Sequence, residues 1–122
     1  MDVTPAIHES RQVITGYGGG GFKINGEFKH GSMLVFADRM VPLEIHDSAI
    51  ELTHIQPVLE RHDVELLLIG TGKQMRPIDP TIRAALKARS TQCDVMDTGA
   101  ACRTYNVLQS EERRVAALVV AI

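Results

Sequence analysis

Three stretches of this 122-residue chain set chemistry-bearing side chains among glycines. The first, Gly16-x-Gly18-x-x-Gly21, spells the dinucleotide fingerprint, whose glycines must stand between a strand and a helix N-terminus so that backbone amides point at a pyrophosphate. The residues that follow, Phe22-Lys23-Ile24-Asn25-Gly26, begin a hairpin instead, so no helix dipole is supplied and the nucleotide reading is rejected. What is left is a flexible loop, or a backbone that passes close to another surface. The second stretch, Gly70-Thr71-Gly72-Lys73, leaves an apolar run. A glycine turn at the carboxyl end of a parallel strand is where open α/β sheets take ligands, and Lys73 is placed to attract an anion. It lacks the G-x-x-x-x-G-K-[ST] spacing of a phosphate-binding loop, and a tight strand exit is the favoured reading.

The third stretch, Asp97-Thr98-Gly99-Ala100-Ala101-Cys102-Arg103, reads as a strand-to-helix junction. First-turn amides there can hold an anion, with Thr98 as the cap and Arg103 adding charge. Small residues at 99–101 permit close approach by a ligand or another backbone. On a helical wheel Ala101, Thr104, Tyr105 and Leu108 share the apolar stripe, Cys102 flanks it beside Gln109, and Arg103 points away. A nucleophilic thiolate needs a nearby base and a lowered pKa, and the five histidines (8, 30, 46, 54 and 62) are all distant in sequence. Cys102 is therefore read first as a packed thiol and second as a reactive one. His46, His54 and His62 recur every eight residues, out of register with the i,i+3 or i,i+4 spacing that puts two ligands on one helix face, so no metal is assigned. Glu44, Asp47 and Glu51 form a solvated acidic stretch rather than a catalytic pair.

These residues must be positioned by two kinds of architecture. The first third is β-rich. A short run at 12–15 enters the glycines. Residues 22–24 and 27–29 flank Asn25-Gly26, the two positive-φ residues of a type I′ turn. His30-Gly31 is a second turn, and 32–37 and 41–45 are further strands, the latter marked by Pro42 as an edge or bulge. The rest alternates. A short helix at 53–62 is weakened by Pro57, and 64–69 is an apolar strand. Asp79-Pro80 is an N-cap and first-turn proline opening a helix to about 89. Residues 92–96 form a strand, 99–109 a helix and 114–122 a terminal strand. The predicted fold class is α/β: one domain over residues 1–122, with a mixed, mostly parallel sheet. Two right-handed βαβ crossovers build its C-terminal part and antiparallel hairpins its N-terminal part. Residues 1–10 are read as a loosely ordered arm.

Composition narrows the function classes. Apolar residues make up 44% of the chain, and 13 Lys+Arg against 15 Asp+Glu leave a net charge of −2. That excludes disorder and offers nucleic acid no basic surface. The cysteines, spaced C-x8-C, fit neither a zinc knuckle nor a redox pair and are expected to be reduced. The N-terminal residues match no signal peptide or presequence, and the apolar runs at 66–69 and 115–122 are far shorter than the ~20 residues that span a bilayer. A cytoplasmic protein without a transmembrane segment is expected.

The segments 64–72 (Val-Glu-Leu-Leu-Leu-Ile-Gly-Thr-Gly), 96–108 (Met-Asp-Thr-Gly-Ala-Ala-Cys-Arg-Thr-Tyr-Asn-Val-Leu) and 113–118 (Arg-Arg-Val-Ala-Ala-Leu) resemble a small single-domain α/β family of unknown function. Ile14-Thr15-Gly16-Tyr17-Gly18 and residues 22–45 extend the likeness over nearly the whole chain. That family includes the mitochondrial assembly factor 3 of respiratory complex I (NADH:ubiquinone oxidoreductase) and an adipogenesis-associated protein; the present chain resembles its stand-alone bacterial form. The resemblance implies a three-layer α/β domain, no established enzyme activity or cofactor, and a role in protein assembly.

The leading expectation is thus a non-enzymatic protein that helps assemble a partner complex, possible also as a homo-oligomer. It would use exposed Tyr17 and Phe22 in the glycine loop and the edge at 41–45. The alternative is a small-molecule or anion site, or a thiol enzyme, where Gly70, Thr71, Gly72 and Lys73 converge with Thr98, Cys102 and Arg103.

Overall fold

The computed structural model describes residues 11–122; the N-terminal arm at 1–10 lies outside them. The chain runs β1 (Ile14–Gly18), β2 (Gly21–Ile24), β3 (Glu27–His30), β4 (Ser32–Val35), β5 (Met40–Leu43), a 3₁₀ turn (Leu52–Ile55), α1 (Gln56–Leu59), β6 (Leu66–Gly70), α2 (Pro80–Ala88), β7 (Gln92–Met96), α3 (Thr98–Ser110) and β8 (Val115–Val119). Five strands form the central sheet in the order β5-β4-β8-β6-β7. β6 is parallel to both β7 and β8, whereas β4 is antiparallel to both β5 and β8. The sheet is thus half parallel, not mostly parallel. The helical crossovers occur as expected: α2 joins neighbours β6 and β7, and α3 carries the chain past β6 to β8.

Alternation along the strands divides the core in two. Leu66, Leu68, Val115, Ala117 and Val119 face Ala101, Cys102 and Tyr105 of α3, together with Phe22 and Ile24 of β2. Leu67, Ile69, Ala116 and Leu118 face Ile82 and Leu86 of α2 and Ile55 and Val58 around α1. The central sheet is therefore the middle of three layers. Asp79 caps α2, its carboxylate accepting from Thr81 N–H at 2.9 Å, and Pro80 fills the first turn.

The N-terminal strands depart from expectation. β1, β2 and β3 make an antiparallel sheet of their own instead of extending the central one. The glycine run is no loose loop: Gly16, Gly18 and Gly21 lie in strands, and Gly19-Gly20, with φ of 65° and 83°, form a two-residue hairpin turn. Gly21 is also the close backbone approach. A Cβ there would stand 2.8 Å from Phe28 Cζ and 2.9 Å from His30 Cα. The Asn25-Gly26 turn has the positive φ values expected, 54° and 83°. Asn25 adds a clamp, accepting from Val13 N–H at 2.8 Å and donating to the Arg11 carbonyl at 3.1 Å.

Candidate functional site

The carboxyl ends of β6 and β8 meet the start of α3, as the two glycine-bearing loops require. Thr98 and Gly72 exchange two hydrogen bonds: Thr98 N–H donates to the Gly72 carbonyl at 2.8 Å, and Thr98 Oγ1 accepts from Gly72 N–H at 2.9 Å. The same hydroxyl donates to the Val120 carbonyl at 2.8 Å, and Val120 N–H reaches the Gly70 carbonyl at 2.9 Å. Gly70 is required here, since a Cβ would stand 2.8 Å from Thr98 Cα. Thr98 is fully buried. It is not the helix cap; Asp97 is, its carboxylate accepting from Ala100 N–H at 2.9 Å. Asp97 has the extended backbone of a cap residue, with φ −68° and ψ 160°, while Thr98 is already the first residue of the helix. Thr71 Oγ1 accepts from Arg76 N–H and donates towards the Gln74 carbonyl, both at 2.9 Å. The Thr71, Gly72 and Thr98 donors are thus spent on the protein's own groups, which leaves Lys73, among the described residues, as the free cation of that set.

The rest of α3 follows the same rule. Cys102 lies in the core, 2% exposed. Burial pushes its thiol up to about 12, against a smaller opposing effect of Arg103, so at neutral pH it is protonated and shielded. Burial likewise raises Cys93. Arg103 Nη1 donates to Tyr17 Oη at 2.7 Å, and Gly99 leaves room for that phenol. Tyr105 Oη lies 2.9 Å from the Gln12 carbonyl and 3.2 Å from that of Phe36, and accepts from Gln109 Nε2 at 3.0 Å. Gln109 Oε1 in turn takes Arg11 Nη1 at 2.6 Å. Asn106 holds β1 at two points, accepting from Ile14 N–H and donating to the Ile14 carbonyl. The run from Thr98 to Asn106 is a tie-beam in which Thr98, Arg103, Tyr105 and Asn106 each hold another part of the fold.

The predicted ligand set therefore splits. Gly70, Thr71, Gly72 and Thr98 come together but fill one another's space. Lys73 is exposed and lines a cleft of about 390 Å³ with Arg76, Ser48 and residues 121–122. Cys102 and Arg103 face elsewhere. Of the two aromatic anchors, Tyr17 is 44% exposed, but Phe22 is fully buried and is withdrawn. The Asn25-Gly26 turn pairs Lys23 with Phe28, so Phe22 and Phe28 point to opposite faces of the small sheet. Phe28 is the exposed one, at 48%, packed over Gly21 and tilted against His30 with ring centroids 6.4 Å apart. The edge expected at 41–45 is β5, an outer strand of the central sheet.

Among the described residues no group of three or more His, Cys, Asp or Glu side chains is placed to hold a metal. No helix there is long and apolar enough to cross a membrane. His54 has a structural role: Nδ1 accepts from Glu51 N–H and Nε2 faces the Glu44 carbonyl, both at 2.8 Å. One further feature escaped the sequence reading, a groove beside β7 flanked by Arg83 and Lys87. Its signal was present in two cations four residues apart on α2 and in the polar alternation of Gln92 and Asp94.

Comparison with known proteins returns a protein family described as of unknown function (DUF498/DUF598), matched over residues 14–120. An uncharacterised protein of Rhodobacter capsulatus is 35% identical over 104 residues, covering 85% of this chain and 80% of the relative. NADH dehydrogenase [ubiquinone] 1 alpha subcomplex assembly factor 3 of Danio rerio is 32% identical over 111 residues, 88% of this chain; the alignment spans only 63% of that protein's length. The crystal structure of an outer membrane protein from Bartonella henselae superposes with a TM-score of 0.87 at 36% identity, covering 92% of this chain and 96% of its own.

Proposed function

This chain belongs to the DUF498/DUF598 family of proteins of unknown function, which includes assembly factors of NADH dehydrogenase, and on that premise we propose that it works by docking to a protein partner during assembly of a complex, a respiratory one being the first to test. The observation that carries this reading is the internal use of α3. Thr98, Cys102, Arg103, Tyr105 and Asn106, the residues with most chemistry to offer, hold the fold together. What faces outward is a hairpin sheet with Phe28 exposed on its outer face and Tyr17 half-exposed on the opposite face beside Arg103, aromatic side chains of the kind that anchor interfaces.

Affinity capture of the tagged protein at native expression level tests the reading. One stoichiometric partner, retained by the parent chain and lost with Tyr17→Ala or Phe28→Ala, is the expected result. Capture of nothing but the protein itself would overturn it.

The cleft beside Lys73 and Arg76 favours a second reading, an anion site at the carboxyl ends of β6 and β8. Thermal stabilisation by inorganic phosphate or a dicarboxylate, abolished by Lys73→Glu, supports this reading; a flat response across an anion panel removes it.

A further inference from the structure

The two outer strands of the central sheet are finished differently. On β5, Pro42 stands opposite Met33. The bond from Phe36 N–H to the Arg39 carbonyl sets the parity of that hairpin, so the proline's missing N–H falls on the free side, a common way to blunt an edge. β7 has no proline and no bulge, and keeps five residues in unbroken register with β6. Successive residues of a strand turn their backbone groups to opposite sides. Gln92 N–H donates to the Glu65 carbonyl at 2.8 Å and the Met96 carbonyl takes Thr71 N–H at 2.9 Å. Gln92, Asp94 and Met96 therefore serve β6, and Cys93 and Val95 direct N–H and C=O outward. Among the described residues the one group that reaches this side is Arg83 Nη1, 3.5 Å from the Cys93 carbonyl and so at the limit of a hydrogen bond.

Beside this edge runs a groove of about 660 Å³ between β7 and α2. Arg83 and Lys87, one helical turn apart and both exposed, form its α2 wall, and Asp94 is the one carboxylate among its lining residues. We propose that the β7 edge accepts an extended segment of a partner protein as a further strand, carrying carboxylates at the alternate positions that fall beside Arg83 and Lys87. Backbone pairing supplies the binding and the alternate side chains the selectivity. The Arg83 guanidinium holds the place of one guest N–H until the guest arrives. A second copy of this chain fits less well, because the two-fold register that uses both Cys93 and Val95 sets the two Asp94 carboxylates directly opposite each other, a destabilising pair. The proposal rests on the docking reading above and adds a second contact surface to the one that carries Tyr17 and Phe28.

The test uses the uniformly ¹⁵N-labelled chain and four capped hexapeptides: alternating Glu-Val, alternating Lys-Val, and the two phases of Glu-Val with every second amide N-methylated. The Glu-Val peptide is expected to shift the amides of Cys93 and Val95 saturably and to bind about tenfold more tightly than the Lys-Val peptide. One methylated phase should lose binding. The exposed double variant Arg83→Glu/Lys87→Glu should reverse the preference. Equal response to both charges, shifts confined to other residues, or no response at millimolar peptide overturns the proposal. Concentration-dependent broadening at Cys93 and Val95 in the free protein also overturns it, in favour of a second copy. A partner whose capture survives Arg83→Glu/Lys87→Glu sinks the edge proposal and leaves the docking function standing. Peptide shifts at β7 without any captured partner do the reverse.

Discussion

Thr98 Oγ1 is one atom serving two others, the Gly72 N–H and the Val120 carbonyl, where no water reaches. Valine has the same shape and neither bond. Leaving a buried donor and a buried acceptor without partners costs about 1–3 kcal/mol each, so Thr98→Val is expected to lower the unfolding free energy by about 2–6 kcal/mol in a denaturant titration. Asp97→Ala, which removes only a cap, should cost about 1 kcal/mol. Cys102 makes the opposite kind of prediction. Its proton is held to about pH 12 in the folded protein against 9.0 in the open chain, because burial disfavours the thiolate. A folded-state value raised in this way contributes stability that is complete below pH 9 and lost as pH climbs from about 9 to 12. The expected slope is about 1.4 kcal/mol per pH unit. Tyr105, raised to about 12 by burial, adds to the upper part of that window. Alkaline unfolding should therefore be shallower in Cys102→Ala than in the parent, and iodoacetamide should modify the native protein far more slowly than the urea-unfolded one.

At the scale of elements, the small sheet depends on one glycine for space and one helix for attachment. Gly21→Ala would drive a methyl group towards Phe28 and the β3 backbone. Overpacking of this sort costs about 1–3 kcal/mol, and here it should loosen β2 from β3 and show as lost amide protection in both strands. Much at this scale could be read from the sequence. Asn25-Gly26 specified its turn, Asp79-Pro80 opened α2, and the apolar runs at 64–69 and 115–119 were central strands because only a strand buried on both faces tolerates them. Turn parity even required Phe22 and Phe28 to face opposite ways. Which face met the core was a tertiary matter, decided by where α3 lies, and so the wrong phenylalanine was assigned to the surface. The candidate site was legible in its convergence, not in its occupancy. Nothing local in Thr98 or Gly72 announces that each is the other's partner.

At the scale of the whole molecule, β8 is the seam. It alone joins β4 to β6, and both of its faces are covered. Native-state hydrogen exchange should find its amides and those of β6 opening only with global unfolding, while β5 and the β1–β3 sheet exchange through smaller openings. Comparable protection in β5 and β8 would mean that the layers unfold as one unit.

The seam is also the last strand to be made. Between the end of β4 and the start of β8 the ribosome adds about 80 residues, roughly 4–16 s at ~5–20 residues per second. Once β6 has been made, the nascent chain carries both the apolar edge of β4 and the apolar run of β6 with the strand that unites them still unmade. The sheet cannot close co-translationally in halves; it closes when β8 emerges. A protein proposed to help others assemble is itself exposed, during synthesis, to the hazard of unpaired strands, and a holdase chaperone should be found on its nascent chains between those two points.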